Sequence, residues 1–225
     1  MEDKLNQVLE NTQEYKEYLK NTRTSYMNDI GDIMTRNGIP ARFKEASIRH
    51  LSPVLASKLD GSKSYFITGG VGAGKSYMMT ALIRDYLEKA RIFKFVDSLG
   101  IHLRVEEKPF IFMTEYGMFQ QIRDCYSRNA NEDRLLKSIT TTPLFAIDDF
   151  GTEPSKDWTS SKMFAILDSR YSNQKQTMIT SNHSLQYIAE KVDDRIASRI
   201  AEMCTIIELK AGTDRRLKKV TKIKG

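Results

Sequence analysis

The sequence predicts an α/β fold in which five parallel strands form one sheet with helices on both faces. Three observations predict it. From residue 64 onward, short apolar strand-like runs alternate with helical patterns, the signature of a covered parallel sheet. A glycine-rich loop, GGVGAGKS at 69–76, joins the first such strand to the first such helix. PLFAIDDF at 143–150 is a continuous apolar run ending in two acids, as suits a central strand buried on both faces.

Taken in order, residues 1–36 read as helix, because Leu5, Val8, Leu9, Tyr15, Leu19, Tyr26, Ile30 and Ile33 recur at spacings near three, four and seven. A lone helix cannot bury its own stripe, so it is expected to dock on the main body or on another protein. Asn37-Gly38 ends it and Ile39-Pro40 turns the chain. The boundary falls there, giving a helical docking segment over 1–38 and a main domain over 39–225 with a basic tail. Residues 39–63 form a connecting arm with one short helix around Pro53–Leu59, N-capped by Ser52 and begun by Pro53. Strands are expected at 64–70, 109–116, 143–150, 177–182 and 205–210. Helices are expected at 76–90, 117–129, 132–139 and 159–172, with two more within 185–202. The stretch 90–108, ARIFKFVDSLGIHLRVEEK, is assigned no element.

Composition narrows the class. With 225 residues, 40% of them hydrophobic, the chain can bury one core of roughly 150–200 residues and carry a small appendage. No run approaches the roughly 18 apolar residues of a membrane span. MEDKLNQVLENTQEYKEYLK is neither a signal nor a transit peptide, so a cytoplasmic protein without membrane contact is expected. Cys125 and Cys204 form no CxxC, and His50, His102 and His183 have no ligand spacing, so neither zinc nor a disulfide is expected. Net charge is +6, but residues 215–225 (RRLKKVTKIKG) hold six of the 35 basic residues and no acid. Residues 1–214 are therefore balanced, and the basic character belongs to a tail that either holds a nucleic-acid backbone or is simply a solvated end.

The chemistry centres on Gly69-x-x-x-x-Gly74-Lys75-Ser76, the Walker A spacing. Glycines let consecutive amides turn inward around a phosphate, and the helix that follows adds the positive end of its dipole. Gly69, Gly70, Val71, Gly72, Ala73, Gly74, Lys75, Ser76 and Tyr77 are therefore assigned to an ATP cradle, Lys75 reaching the β- and γ-phosphates and the Ser76 hydroxyl ligating Mg²⁺. Leu144–Asp149 supplies Walker B: Asp148 would hold Mg²⁺ alongside Ser76, and Asp149 would orient or deprotonate the attacking water. Asp is one methylene shorter than the Glu common at this position, which predicts slow hydrolysis; the alternative is that Asp149 only caps a turn. Asn182, at the tip of TMITSN, would hold the attacking water against the γ-phosphate, although a lone Asn there could equally form a turn.

These residues, with AIDDFGTE (146–153), TSN (180–182), DDRIASRI (193–200), GTDRR (212–216) and the arm IPARFKEAS (39–47), carry a resemblance to the DnaC/DnaI-type replicative helicase loaders, a branch of the AAA+ ATPases. It covers roughly residues 39–220 and implies an AAA+ core without a C-terminal lid domain. It also implies that Arg199 is an arginine finger reaching the ATP of a neighbouring subunit, with Arg195 as its partner one helical turn away. The bland alternative is an Asp–Arg surface network. Arg216, or Arg215 one position earlier, would be the sensor arginine for the chain's own ATP. Loaders bind single-stranded DNA through the helical insert after the second strand, where Arg123 and Tyr126 offer a cation beside a stacking ring, Tyr126 being otherwise a core aromatic. Trp158, in a polar loop after Walker B, is a second stacking candidate, with local packing as its alternative. The segment 1–38 has no cysteine and cannot be the zinc-bearing docking domain of some loaders.

The resemblance thus implies an ATP-dependent loader that self-associates through ATP, grips a hexameric replicative helicase and holds single-stranded DNA. A transposition helper ATPase of the IstB type shares this core and is the runner-up. A small-molecule kinase would need a lid, and an adaptor that binds ATP without turning it over is kept open by Asp149.

Overall fold

The structure is a computed structural model that describes residues 12–97, 100–127, 131–152 and 157–209. In chain order its elements are α1 (Gln13–Arg36), α2 (Pro53–Ala56), β1 (Tyr65–Gly69), α3 (Lys75–Glu88), β2 (Ile92–Asp97) and β3 (Gly100–Val105). There follow β4 (Phe110–Thr114), α4 (Glu115–Ser127), α5 (Glu132–Thr141), β5 (Leu144–Phe150), α6 (Asp157–Ser172), β6 (Gln176–Ser181), α7 (Leu185–Lys191), α8 (Asp194–Met203) and β7 (Thr205–Leu209). The main sheet has five strands in the order β4-β5-β6-β1-β7, all parallel, as expected.

The strand period of two divides the core. Phe66, Phe145, Ile147 and Ile179 face a layer built from α4 to α8, including Met118, Phe119, Ile122, Met163, Leu167 and Ile200. Tyr65, Ile67, Leu144, Ala146 and Met178 face the other way, onto Met78, Met79, Leu82 and Ile83 of α3. Both faces are covered, which is why these strands read as unbroken apolar runs.

α1 docks on its own chain. Ile30 and Met34 are fully buried in the α3 layer, and Gly31 lies so close to Lys44 that a Cβ there would sit 2.8 Å from its Cγ. Arg23 donates to the carbonyls of Ala90 (2.6 Å) and Glu88, and the Tyr26 hydroxyl donates to Leu87 O at 3.0 Å. Arg23 thereby serves the Glu88 carbonyl at the C-terminal end of α3 and the Ala90 carbonyl just past it. The expected docking therefore falls on the main body over Arg23–Met34, while residues 1–11 lie outside the described residues.

The unassigned stretch 90–108 is an antiparallel hairpin, β2 against β3, in register from Ile92↔Val105 to Asp97↔Gly100. Its signal was present: Ile92, Phe93, Phe95 and Val96, then Ile101, Leu103 and Val105, are strand formers on either side of Gly100. The arm's short helix is one turn, Pro53–Ala56, and Ser52 stands at its N-cap without a side-chain hydrogen bond.

Candidate functional site

The turn from β1 into α3 brings the glycines of the loop into use. Gly69, Gly72 and Gly74 all have positive φ, and a Cβ at Gly69 would come within 2.4 Å of Leu209 O on the neighbouring strand. α3 starts at Lys75 with Gly74 in its N-cap position and no side-chain cap, so its first amides are open to an anion.

Two side-chain pairs tie distant parts of the chain together beside this turn. The Lys75 ammonium, 6% exposed, donates to Gly69 O (2.9 Å), Gly70 O (3.0 Å) and Asn182 Oδ1 (2.7 Å). The Ser76 hydroxyl donates to Asp148 Oδ1 at 3.0 Å, and Thr180 Oγ1 donates to the same oxygen. Burial pushes the Asp148 carboxyl above the usual carboxylate range. The charge of Asp149 adds to that push, and the hydroxyls of Thr180 and Ser76 oppose it. Asp149 is exposed and has a left-handed backbone, φ 58°.

A cleft of about 820 Å³ opens over these groups. Val71, Gly72, Gly74, Lys75, Ser76, Tyr77, Asp149 and Asn182 line it, as do Phe43, Thr114, Tyr116 and Thr152. Gly69 and Gly70 contribute the carbonyls that hold Lys75, and the Ala73 amide closes the turn onto Gly70 O. The sequence reading missed Phe43, Thr114, Tyr116, Thr152 and Thr180. Phe43 meets Tyr77 edge-on at 6.3 Å, and the Tyr77 hydroxyl shares a 2.9 Å hydrogen bond with His50 Nδ1. Phe43, Thr152 and Thr180 lie within the stretches that carry the resemblance but were given no role, nothing local marks Thr114 or Tyr116, and only the fold brings the five to the site.

The donor set suits magnesium. Ser76 and Asp148 converge as one hydroxyl and one carboxylate, leaving the remaining positions to phosphate oxygens and water, the arrangement Mg²⁺ takes with nucleotides. No group of three or more His, Cys, Asp or Glu that could enclose a metal occurs among the described residues.

The two arginines of α8 differ. Arg195 is held by Asp193 through Nε (3.1 Å) and Nη2 (2.7 Å) and lies over the Phe164 ring. Arg199 bonds Asp168 through Nε alone (2.7 Å), lies over Tyr171, and keeps 30% of its side chain exposed. Neither lines the cleft. Arg215 and Arg216 lie outside the described residues.

In the expected DNA-contacting insert, Tyr126 is 58% exposed. Arg123 Nη2 lies 3.5 Å from Gln120 Oε1. Trp158 is placed in the first turn of α6, not in a loop, and its ring packs on Phe119 (5.7 Å) and near Tyr126 (6.5 Å). Half-buried Trp158 thus supports the exposed Tyr126 from behind. Both cysteines are free thiols; Cys204 is buried, and desolvation pushes it up to about 12.

No protein-family model matches the chain. It is 22% identical over 187 residues to the Bacillus subtilis protein YqaM, a match covering 78% of this chain and 52% of YqaM. It is also 22% identical over 184 residues to the replicative helicase loader DnaC of Buchnera aphidicola, covering 75% of this chain and 68% of that loader. The chain thus spans about half the length of YqaM. Among solved structures, the DnaC helicase loader superposes with TM-score 0.59 at 20% identity, over 76% of this chain and 100% of that one. DnaI gives 0.60 at 19% identity, over 79% and 95%. The initiator DnaA bound to AMPPCP and single-stranded DNA gives 0.58 at 16% identity, over 80% and 54%. The fold is that of the AAA+ ATPases, and in sequence and fold the chain resembles the DnaC/DnaI-type loaders.

Proposed function

We propose that this chain is an ATP-dependent loader of a hexameric replicative DNA helicase, working in the cytoplasm, hydrolysing ATP between subunits and engaging single-stranded DNA. The observation that carries the reading is the meeting of three separate motifs in one cleft: Lys75 with Asn182, and Ser76 with Asp148. The likeness to DnaC and DnaI in fold supports the loader role.

In this reading Lys75 and the loop amides hold the β- and γ-phosphates, and Ser76 and Asp148 hold Mg²⁺. The ion would spread the negative charge of the phosphate oxygens. Asp149, with Asn182, aligns a water and accepts its proton as the water oxygen bonds to the γ-phosphorus. The bond from that phosphorus to the β–γ bridging oxygen breaks, releasing ADP and inorganic phosphate. Arg199 of a neighbouring subunit balances charge on the transferring group. Arg216, or Arg215, does so from the same subunit.

Single-stranded DNA would lie across Arg123 and Tyr126, with Trp158 behind them. The apolar stripe of α1 is spent on the chain's own body over Ile30–Met34. The helicase contact therefore belongs to the part of the 1–38 segment ahead of it.

The test is co-purification of the tagged full chain from its host together with Mg-ATP calorimetry. A hexameric helicase in the eluate and saturable heat support the reading. A transposase in place of the helicase would move the chain to the transposition helpers, and absence of ATP binding would end both.

A further inference from the structure

Glu115 is a buried carboxylate that the mechanism above does not use. It is 4% exposed and stands where β4 ends and α4 begins. Its Oε2 accepts two backbone hydrogen bonds, from Gly151 N and Thr152 N, both at 3.0 Å. Those amides belong to the turn immediately after Asp149. Two amides converging on one carboxyl oxygen fix the turn against the start of α4.

The turn needs that support. Pairing between β5 and β6 is regular up to Ile147 and shifts register before Phe150. The irregularity falls on Asp148 and Asp149, and such breaks re-aim side chains. Asp149 there takes φ 58° and Gly151 φ 82°; a left-handed backbone is uncommon for a residue with a side chain. What holds the break is a set of side chains from β6 and from the turn itself. Thr180 Oγ1 accepts from Asp149 N at 3.0 Å, the Ser181 hydroxyl donates to Phe150 O at 2.7 Å, and Thr152 Oγ1 donates back to Asp149 O at 2.9 Å. Glu115 closes the set from the β4 side. Gly151 is also confined by packing, since a Cβ there would meet Ile188 Cδ1 at 3.0 Å.

We infer that Glu115 is a positioning residue for Asp149: its carboxylate clamps the amides of Gly151 and Thr152 and so aims the Asp149 side chain into the nucleotide cleft. The inference rests on the reading of Asp149 as the water-orienting acid. It assigns Glu115 no contact with nucleotide, and it makes Glu115 a determinant of turnover and not of ATP affinity.

The experiment compares full-length Glu115→Gln, Glu115→Ala, Asp149→Asn and the Glu115→Ala/Asp149→Asn double variant. Mg-ATP affinity is measured by calorimetry and the chemical step by single-turnover hydrolysis. Glu115→Ala is expected to slow hydrolysis by about tenfold to a hundredfold, the range for a misplaced catalytic group, while Kd stays within about twofold. Glu115→Gln keeps a neutral acceptor and is expected to fall between, which keeps the test alive should the alanine variant fail to fold. In the double variant, loss of Glu115 should cost nothing beyond the loss already caused by Asp149→Asn, because the two act through one group. Full additivity, wild-type turnover in both Glu115 variants, or equal losses in affinity and rate would each overturn the inference. If Asp149→Asn itself leaves hydrolysis unchanged, the reading of Asp149 fails first, and that outcome is distinct from a slow Asp149→Asn beside a normal Glu115→Ala.

Discussion

Lys75 and Arg170 show two uses of a buried cation. Lys75 is held by two loop carbonyls and Asn182 at the mouth of the cleft, so its charge is placed for a phosphate. Lys75→Ala should abolish ATP binding in calorimetry; retained affinity would refute the cradle. Arg170 is fully buried and binds only neutral acceptors. It donates to Ile139 O (2.6 Å), Thr142 O (3.0 Å), Thr177 Oγ1 (3.0 Å) and Gln176 O. Burial lowers its pKa to about 10. It satisfies carbonyls at the C-terminal end of α5, where the helix dipole also favours a cation. Arg170→Leu would leave those carbonyls without a partner and should cost about 2–4 kcal/mol in urea denaturation.

At the scale of elements, α1 and α8 make opposite claims. If α1 is part of the body, Ile30→Ala opens a cavity beneath it and should lower stability by about 3 kcal/mol. A detachable docking arm would leave the urea midpoint unchanged. α8 is N-capped by Asp193, whose side chain accepts from Arg195 N at 2.9 Å. Asp193→Ala should cost about 1 kcal/mol at neutral pH, the usual worth of such a cap. Hydrogen bonding from the Arg195 side chain holds the Asp193 carboxyl below the ordinary range, and burial opposes it. A depressed folded value means that the stabilisation is present above the unfolded pKa and is lost as pH falls through the folded one. The variant and the parent should therefore converge in stability in acid, which urea titrations at stepped pH would read out.

For the whole molecule, the question is whether one subunit can complete its own site. Arg199 stands away from the cleft, fastened from behind by Asp168 and Tyr171, and among the described residues its two Nη groups take no hydrogen bond. A guanidinium held this way can present its outer edge to another subunit's phosphate, whereas Arg195 is engaged by Asp193 on two nitrogens. The Asp–Arg network weighed as the bland alternative is therefore present for both residues, and among the described residues Arg199 keeps both Nη groups open where Arg195 keeps only Nη1 without a hydrogen bond. Turnover per subunit should rise with protein concentration. Arg199→Ala should keep ATP affinity and lose that rise; a variant that still accelerates would remove the finger assignment.

Much was legible locally. The glycine loop, the apolar strand with its two acids and the alternation of strands with helices each depend on neighbours in sequence: on which residues tolerate positive φ, and on periods of two and 3.6. Those determined the sheet, the cradle and the roles proposed for Lys75, Ser76 and Asp148. The hairpin at 92–105 was equally local in its signal and was overlooked. What only the tertiary structure decided is which side chains meet. Lys75 and Asn182 lie 107 positions apart, and Ser76 and Asp148 lie 72 apart. Phe43 and Tyr116 become cleft walls, Trp158 a support, Arg170 a buried cap and Glu115 a clamp only when the strand order sets them side by side. Such contacts carry no periodicity and no motif, because they arise from the packing of elements and not from the chemistry of any one of them.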